Sequence, residues 1–141
     1  MSMSLSPYLI TNGNGKEAVA WYEEALNAKV LMVQSFGDMP ADANHPIPDE
    51  AKDLILHAAL QFGDSMMMIS DTFPGNPHQI GNQVTIAVMV DDASLAKQIF
   101  EKLQQGGEVL MPLQETFWSP SYGMVKDKFG VTFHVSTENR K

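Results

Sequence analysis

Apolar residues recur at Ala18, Trp21, Tyr22, Ala25 and Leu26, the i, i+3, i+4, i+7, i+8 spacing of one helical face. The spacing predicts a helix from Asn14, with Asn14 as its cap and Glu17 three positions on, as in a capping box. The same phase returns at Ala96, Ile99, Phe100 and Leu103, behind Asp92 as cap and ahead of Gly106-Gly107 as stop. Extended segments flank both helices. Pro7 to Ile10 and Thr85 to Val88 precede them, and Val30 to Phe36 and Val109 to Phe117 follow. Two hairpins complete the pattern. Leu54 to Phe62 turns through Gly63-Asp64 into Met66 to Ser70, and Tyr122 to Lys126 turns through Phe129-Gly130 into Val131 to Val135.

These segments are two copies of one unit. A shift of 78 positions lays Asn14 on Asp92, Tyr22 on Phe100 and Ala25 on Leu103, and carries Pro7 to Ile10 onto Thr85 to Val88. Each copy reads strand, helix, strand, strand, strand, so the predicted class is α+β with two βαβββ modules. The expected boundaries are residues 4–71 for the first module, 72–82 for a connection rich in Pro and Gly, and 83–137 for the second, within one domain. Gly37 to Asp53 has neither helical nor strand period, and its length leaves a lid and a disordered loop as equal readings.

Alternation sorts the strand faces. In the first hairpin Leu54, Leu56, Ala58, Leu60 and Phe62 share an apolar face that should pack beneath a helix, and His57 and Gln61 look the other way. In the last strand Val131, Phe133 and Val135 oppose Thr132, His134 and Ser136. The repeat sets His57 against Met124 and His134 against Met67, so two histidines from different modules are expected to face one concavity. A lone strand histidine is more often a hydrogen-bonded structural residue than a ligand contact, and both readings stay open for His57 and for His134.

Composition narrows the partners. The chain has 141 residues, an apolar share of 44% and a net charge of −8, which suit a folded acidic domain rather than a disordered one. Its nine basic residues are scattered, which argues against nucleic acid and anionic membrane as partners. There is no cysteine, so disulfides, thiolate catalysis and Cys-based zinc sites are excluded. Met1 to Ser6 lacks the basic and apolar regions of a secretory signal. No stretch reaches the roughly 20 apolar residues of a membrane span. A cytoplasmic location is expected.

The order Pro7-Tyr8-Leu9, Trp21-Tyr22, the His57 strand with Phe62-Gly63, then Ser70-Asp71, resembles the vicinal oxygen chelate superfamily of glyoxalases, bleomycin-resistance proteins and dioxygenases. The stretch from Trp118 through Gly123 and Asp127 to Phe129-Gly130 is more similar to its PhnB-like branch. The resemblance spans nearly the whole chain and implies a curved mixed sheet around a central cup. It also implies a homodimer, because relatives cover exposed sheet edges by pairing.

In metal-using relatives four equivalent strands each supply a His, Gln or Glu ligand. The resemblance puts those positions at Pro7, Met67 (Met68 if the register slips), Thr85 and His134. Proline and methionine do not bind a hard divalent ion, and threonine binds one poorly. His45 and His78 lie in loops. No cofactor and no divalent metal are therefore expected. Gly13-Asn14-Gly15 lacks the remainder of a dinucleotide or methyl-donor fingerprint.

The expected function is binding of a small molecule without a catalytic metal. The cup-facing candidates are His57, Gln61, Met67, Thr85, Trp118, Tyr122, Met124 and His134, a mix of apolar area and few polar anchors. The alternative is a metal-dependent lyase, isomerase or dioxygenase of the vicinal oxygen chelate type. A metal-free enzyme with a histidine base also stays open, as does whether the chain is an enzyme at all.

Overall fold

The first βαβββ unit comprises β1 (Tyr8–Thr11), α1 (Gly15–Ala25), β2 (Lys29–Ser35), β3 (Ile55–Phe62) and β4 (Ser65–Asp71) in a computed structural model that describes residues 2–40 and 46–138. The second comprises β5 (Ile86–Val90), α2 (Ala93–Leu103), β6 (Glu108–Gln114), β7 (Tyr122–Lys126) and β8 (Thr132–Thr137). Backbone contacts divide the chain between His78 and Gln79, inside the Pro- and Gly-rich connection. The expected α+β pair of modules is present. The strands, however, form two mixed four-stranded sheets, ordered β1-β4-β3-β2 and β5-β8-β7-β6. In each module the first strand pairs parallel with the last, and the remaining pairs are antiparallel.

Each helix buries its apolar stripe on its own sheet. Ala18, Tyr22, Ala25 and Leu26 are buried under α1, and Ala96, Ile99, Phe100 and Leu103 under α2. The sheets answer with Ile55, Ala58, Leu60, Met67 and Ile69 in the first module, and Val88, Val125, Phe133 and Val135 in the second. Burying each large aliphatic side chain contributes roughly 1.5–3 kcal/mol, which makes these rows the determinants of register. Met67 belongs to such a row: it pairs with Leu60 and is 6% exposed. The expectation that it faces the open side is corrected, and Met68 takes that place.

The rows also correct the repeat. Leu9 pairs with Ile69 and Val88 with Val135, so the first strands match at a shift of 79 (88 − 9), whereas the helices match at 78. The strand-to-helix connection is thus one residue longer in the first module. The hairpin turns differ as well. Phe62 pairs with Ser65 across Gly63-Asp64, whereas Asp127 and Val131 close across three residues. Aligning Phe62-Gly63 with Phe129-Gly130 therefore displaces the strands. In the structural register His134 matches Met68, Met124 matches Ala59, and His57 matches Tyr122.

A register shift in β3 breaks the alternation that matters most for the core. Gln34 pairs with His57 but Ser35 with Ile55, which leaves Leu56 in a bulge. Ile55, rather than Leu56, joins Ala58 and Leu60 in the core: Ile55 is fully buried and Leu56 only half-buried.

The two helices begin by different means. Asp92 caps α2 as expected, its Oδ1 accepting the Ser94 N–H at 2.9 Å. Asn14 makes no side-chain cap to α1 and instead accepts from Asn12 N–H, so the expected capping box does not form. Its role falls to Asp71 at the end of β4. Asp71 Oδ1 accepts from Gly13 N–H (3.0 Å), Gly15 N–H (2.9 Å) and the Thr11 hydroxyl (2.6 Å), and Oδ2 accepts from Ile55 N–H (2.8 Å). The buried carboxylate sits at the positive end of the helix dipole. Gly15 is required there, because a Cβ would lie 2.7 Å from Asp71 Oδ2 and 2.8 Å from Ile55 Cγ1.

Between β2 and β3, Phe36–Asp38 and Asp49–Ala51 form single 3₁₀ turns, and residues 41–45, with His45, lie outside the described residues. The Asp38 carboxylate accepts the Ser35 N–H, which holds its carboxyl below the usual carboxylate range. Among the described residues no helix is long and apolar enough to cross a membrane.

Candidate functional site

Each sheet has one face under its helix and one face open, and the open faces carry the polar candidates. In the second module, β7 and β8 are joined by the turn that the sequence predicts. Asp127 Oδ1 accepts from Phe129 N–H and Val131 N–H, and Gly130 takes φ 87°. That turn sets Met124 opposite His134 and Tyr122 opposite Ser136. Tyr122 is then the diagonal neighbour of His134 on the same face. Its Oη lies 2.6 Å from His134 Nδ1, with the rings 5.9 Å apart. When the phenol donates into Nδ1, the imidazole carries its proton on Nε2 and presents an N–H donor.

Trp118 reaches the same cluster from the loop before β7, its ring edge-on to Tyr122 at 5.4 Å. The loop is held by its neighbour: buried Ser119 places Oγ 2.7 Å from the Thr137 carbonyl and accepts the Thr137 N–H at 3.2 Å. Trp118 is 56% exposed and Phe117, stacked edge-on against it, is 97% exposed. Trp118, Tyr122, Met124 and His134 are therefore brought together. Thr85 is not with them. It is exposed ahead of β5, and Ala87 is the residue beside His134.

The first module has its own tyrosine–histidine pair. Tyr8 Oη lies 3.1 Å from His57 Nδ1, with the rings 5.7 Å apart. The pair uses different strands, β1 and β3, where the second module uses β7 and β8. Gln61 is exposed near the hairpin and donates from Nε2 to the Gly63 carbonyl at 3.2 Å. His78 donates from Nε2 to the Ile10 carbonyl, a backbone tie. Sequence reasoning missed Tyr8. Alternation alone could not find it, because its partner His57 lies 49 positions away. The Tyr122 contact was legible by counting outward from the Asp127–Gly130 turn.

With His134 as the reference, the register puts Ala87 beside it in the second module and Tyr8 and Met68 at the equivalent positions of the first, so these are the residues to test against the ligand pattern that the resemblance implies. They correct Pro7, Met67 and Thr85. Beside His134 on either side are Ala87 and Met124, a methyl and a thioether. Tyr8 and Met68 have Ala59 as their row partner. Among the described residues no group of three or more His, Cys, Asp or Glu side chains converges. One imidazole in such company does not fit a divalent ion that takes three or more protein donors.

Two βαβββ modules with mixed sheets of this order define the glyoxalase fold, and a sequence model of the Glyoxalase/Bleomycin resistance protein/Dioxygenase superfamily matches residues 4–135. The chain belongs to that superfamily. Among its relatives is Protein YjdN of Escherichia coli strain K12, 36% identical over 95% of both chains. Protein PA1353 of Pseudomonas aeruginosa superposes with a TM-score of 0.87 at 38% identity, over 99% of this chain and 100% of that one. A Bacillus cereus PhnB protein, provisionally assigned as a 3-demethylubiquinone-9 3-methyltransferase, shares the fold with a TM-score of 0.77 at 20% identity, over 96% and 99% of the two chains.

Proposed function

We propose that the chain binds a small molecule on its open sheet faces without a catalytic metal. The observation that carries the reading is the Trp118–Tyr122–His134 cluster, in which an exposed indole offers contact area and a hydrogen-bonded imidazole offers one oriented polar group. Met124 adds an adaptable apolar wall. His57, fixed by Tyr8, and Gln61 are the corresponding polar groups of the first module. The donors around His134 support a metal-free site. A cytoplasmic homodimer completes the proposal, and sedimentation should give a species near twice 15.6 kDa.

Native mass spectrometry of protein taken from cells identifies any co-purified compound. With Trp21→Phe as background, Trp118 is the remaining tryptophan, and its emission should change saturably with that compound. His134→Ala should weaken binding about tenfold or more, near 1.4 kcal/mol, and leave the melting temperature almost unchanged. Zn²⁺ or Mn²⁺ should give no saturable stabilisation, whereas a true site at 100 times its Kd adds about 2.7 kcal/mol. Metal stabilisation abolished by His134→Ala would replace this reading with the metal-dependent one.

A further inference from the structure

The open face of the second module continues past His134 to the hairpin end, where a concavity of about 410 Å³ is lined by Ile80, Asn82, Glu108, Leu110, Lys126 and Thr132. That volume lies within the range of small-ligand pockets. Glu108, Lys126 and Thr132 form one row across β6, β7 and β8. Thr132 is buried, Lys126 half-buried and Glu108 exposed. Ile80, packed against Gly130, and Leu110 supply the apolar wall.

Lys126 and Glu108 are directly opposed in an antiparallel pair, a spacing of about 5 Å between Cβ atoms at which opposite charges ordinarily meet. Here neither side chain has an ion pair or side-chain hydrogen bond with another described residue. Both charges line the concavity instead. An anionic ligand would find the Glu108 carboxylate beside it, and a cationic one the Lys126 ammonium. The chain's net charge of −8 also repels anions at long range, but it has no net pull or push on a neutral zwitterion.

We infer that this concavity binds a zwitterionic α-amino acid, its carboxylate toward Lys126, its ammonium toward Glu108 and its side chain against Ile80 and Leu110. Two charges carried on one carbon match two side chains opposed across one strand pair. Thr132 adds a hydroxyl on the floor. The inference does not depend on a ligand at Trp118.

The test uses the full chain and the standard L-α-amino acids, screened singly at millimolar concentration by saturation-transfer NMR. The best binder is then measured by calorimetry beside its amide, which lacks the anion, and its des-amino acid, which lacks the cation. Removing either charge from the ligand should weaken binding about tenfold or more. Lys126→Met and Glu108→Gln should each do the same with unchanged melting temperature. Exposed Glu108 keeps the test sound if Lys126→Met disturbs folding. Three results would overturn the inference: no amino acid saturating the protein, the des-amino acid binding as tightly as its parent, or Glu108→Gln retaining wild-type affinity.

Discussion

Asp71 and Thr137 stand at the same register position, two residues beyond the buried Ile69 and Val135, and they show how differently two copies of one module are secured. Asp71 accepts four hydrogen bonds and ties together β1, the first turn of α1 and the start of β3. Thr137 is as buried, yet its Oγ1 has no hydrogen-bond partner among the described residues. The second module does not need one there, because Asp92 caps α2 from within its own connection. The core rows fix the register in both modules. The start of each helix is secured separately, from a distant strand in one and locally in the other. The site follows the same rule: each open face carries a tyrosine–histidine pair, built from different strands.

Asp71→Ala breaks this contrast most severely. It strands three backbone N–H groups and a hydroxyl, at about 1.5–3 kcal/mol for each bond to a charged acceptor before relaxation and water entry. The expected loss in urea unfolding is on the order of 3–4 kcal/mol. Thr137→Val replaces an orphaned hydroxyl with a methyl of the same shape and should be neutral or stabilising, within about 1 kcal/mol. Equal losses at the two positions would show that the shared register, rather than the local bonds, sets their importance.

Much of this was legible beforehand. The helical stripes at Ala18–Leu26 and Ala96–Leu103, the Asp92 cap and the Asp127–Gly130 turn depend on residues close in sequence, and periodicity and turn chemistry read them directly. The hydrophobic repeat also gave the two modules, and it placed His57 and His134 off the core faces. What failed depends on distance or on counting. Asp71 reaches Gly15 across 56 positions, where no local signal marks it as a cap. The unequal hairpin turns moved one open-face position from Met67 to Met68, and strand pairing with Met68 and His134 puts Tyr8 and Ala87 where Pro7 and Thr85 were expected. One shift applied to the whole chain cannot absorb an extra residue in one connection and another in one hairpin turn.

The bulge in β3 offers the next test, because simple alternation and the structure rank two neighbours oppositely. Ile55 is fully buried beneath α1 and beside Gly15. Ile55→Ala should cost about 2–5 kcal/mol, as large-to-small core changes do. Leu56 lies in the bulge and is half-buried, so Leu56→Ala should cost roughly half as much or less. Strict alternation from Ala58 and Leu60 gives the reverse order. The difference in denaturation midpoint between the two variants decides between them.

The smallest effect concerns the caps. Both Asn14 and Asp92 look like N-caps in sequence, and both precede helices of 11 residues. Asp92 is extended, at φ −134° and ψ 118°, and its carboxylate accepts the second helical N–H. Removing such a cap costs about 1 kcal/mol, and the negative charge near the helix N-terminus adds a few tenths. Asn14 has φ −110° and ψ 28°, away from the extended region that an N-cap usually takes, and its amide oxygen turns back to Asn12 N–H in an exposed bond. Asn14→Ala should therefore cost only a few tenths of a kcal/mol, the scale of a surface substitution without a special role. Asp92→Ala should lower stability measurably and Asn14→Ala should not. In an Asp71→Ala background, which has lost the distant acceptor, the Asn14 side chain is the nearest replacement cap. There Asn14→Ala should cost more than in the wild type, and a double-mutant cycle reads that coupling directly. A coupling of zero would mean that Asn14 and Asp71 act independently and that α1 forms from packing alone.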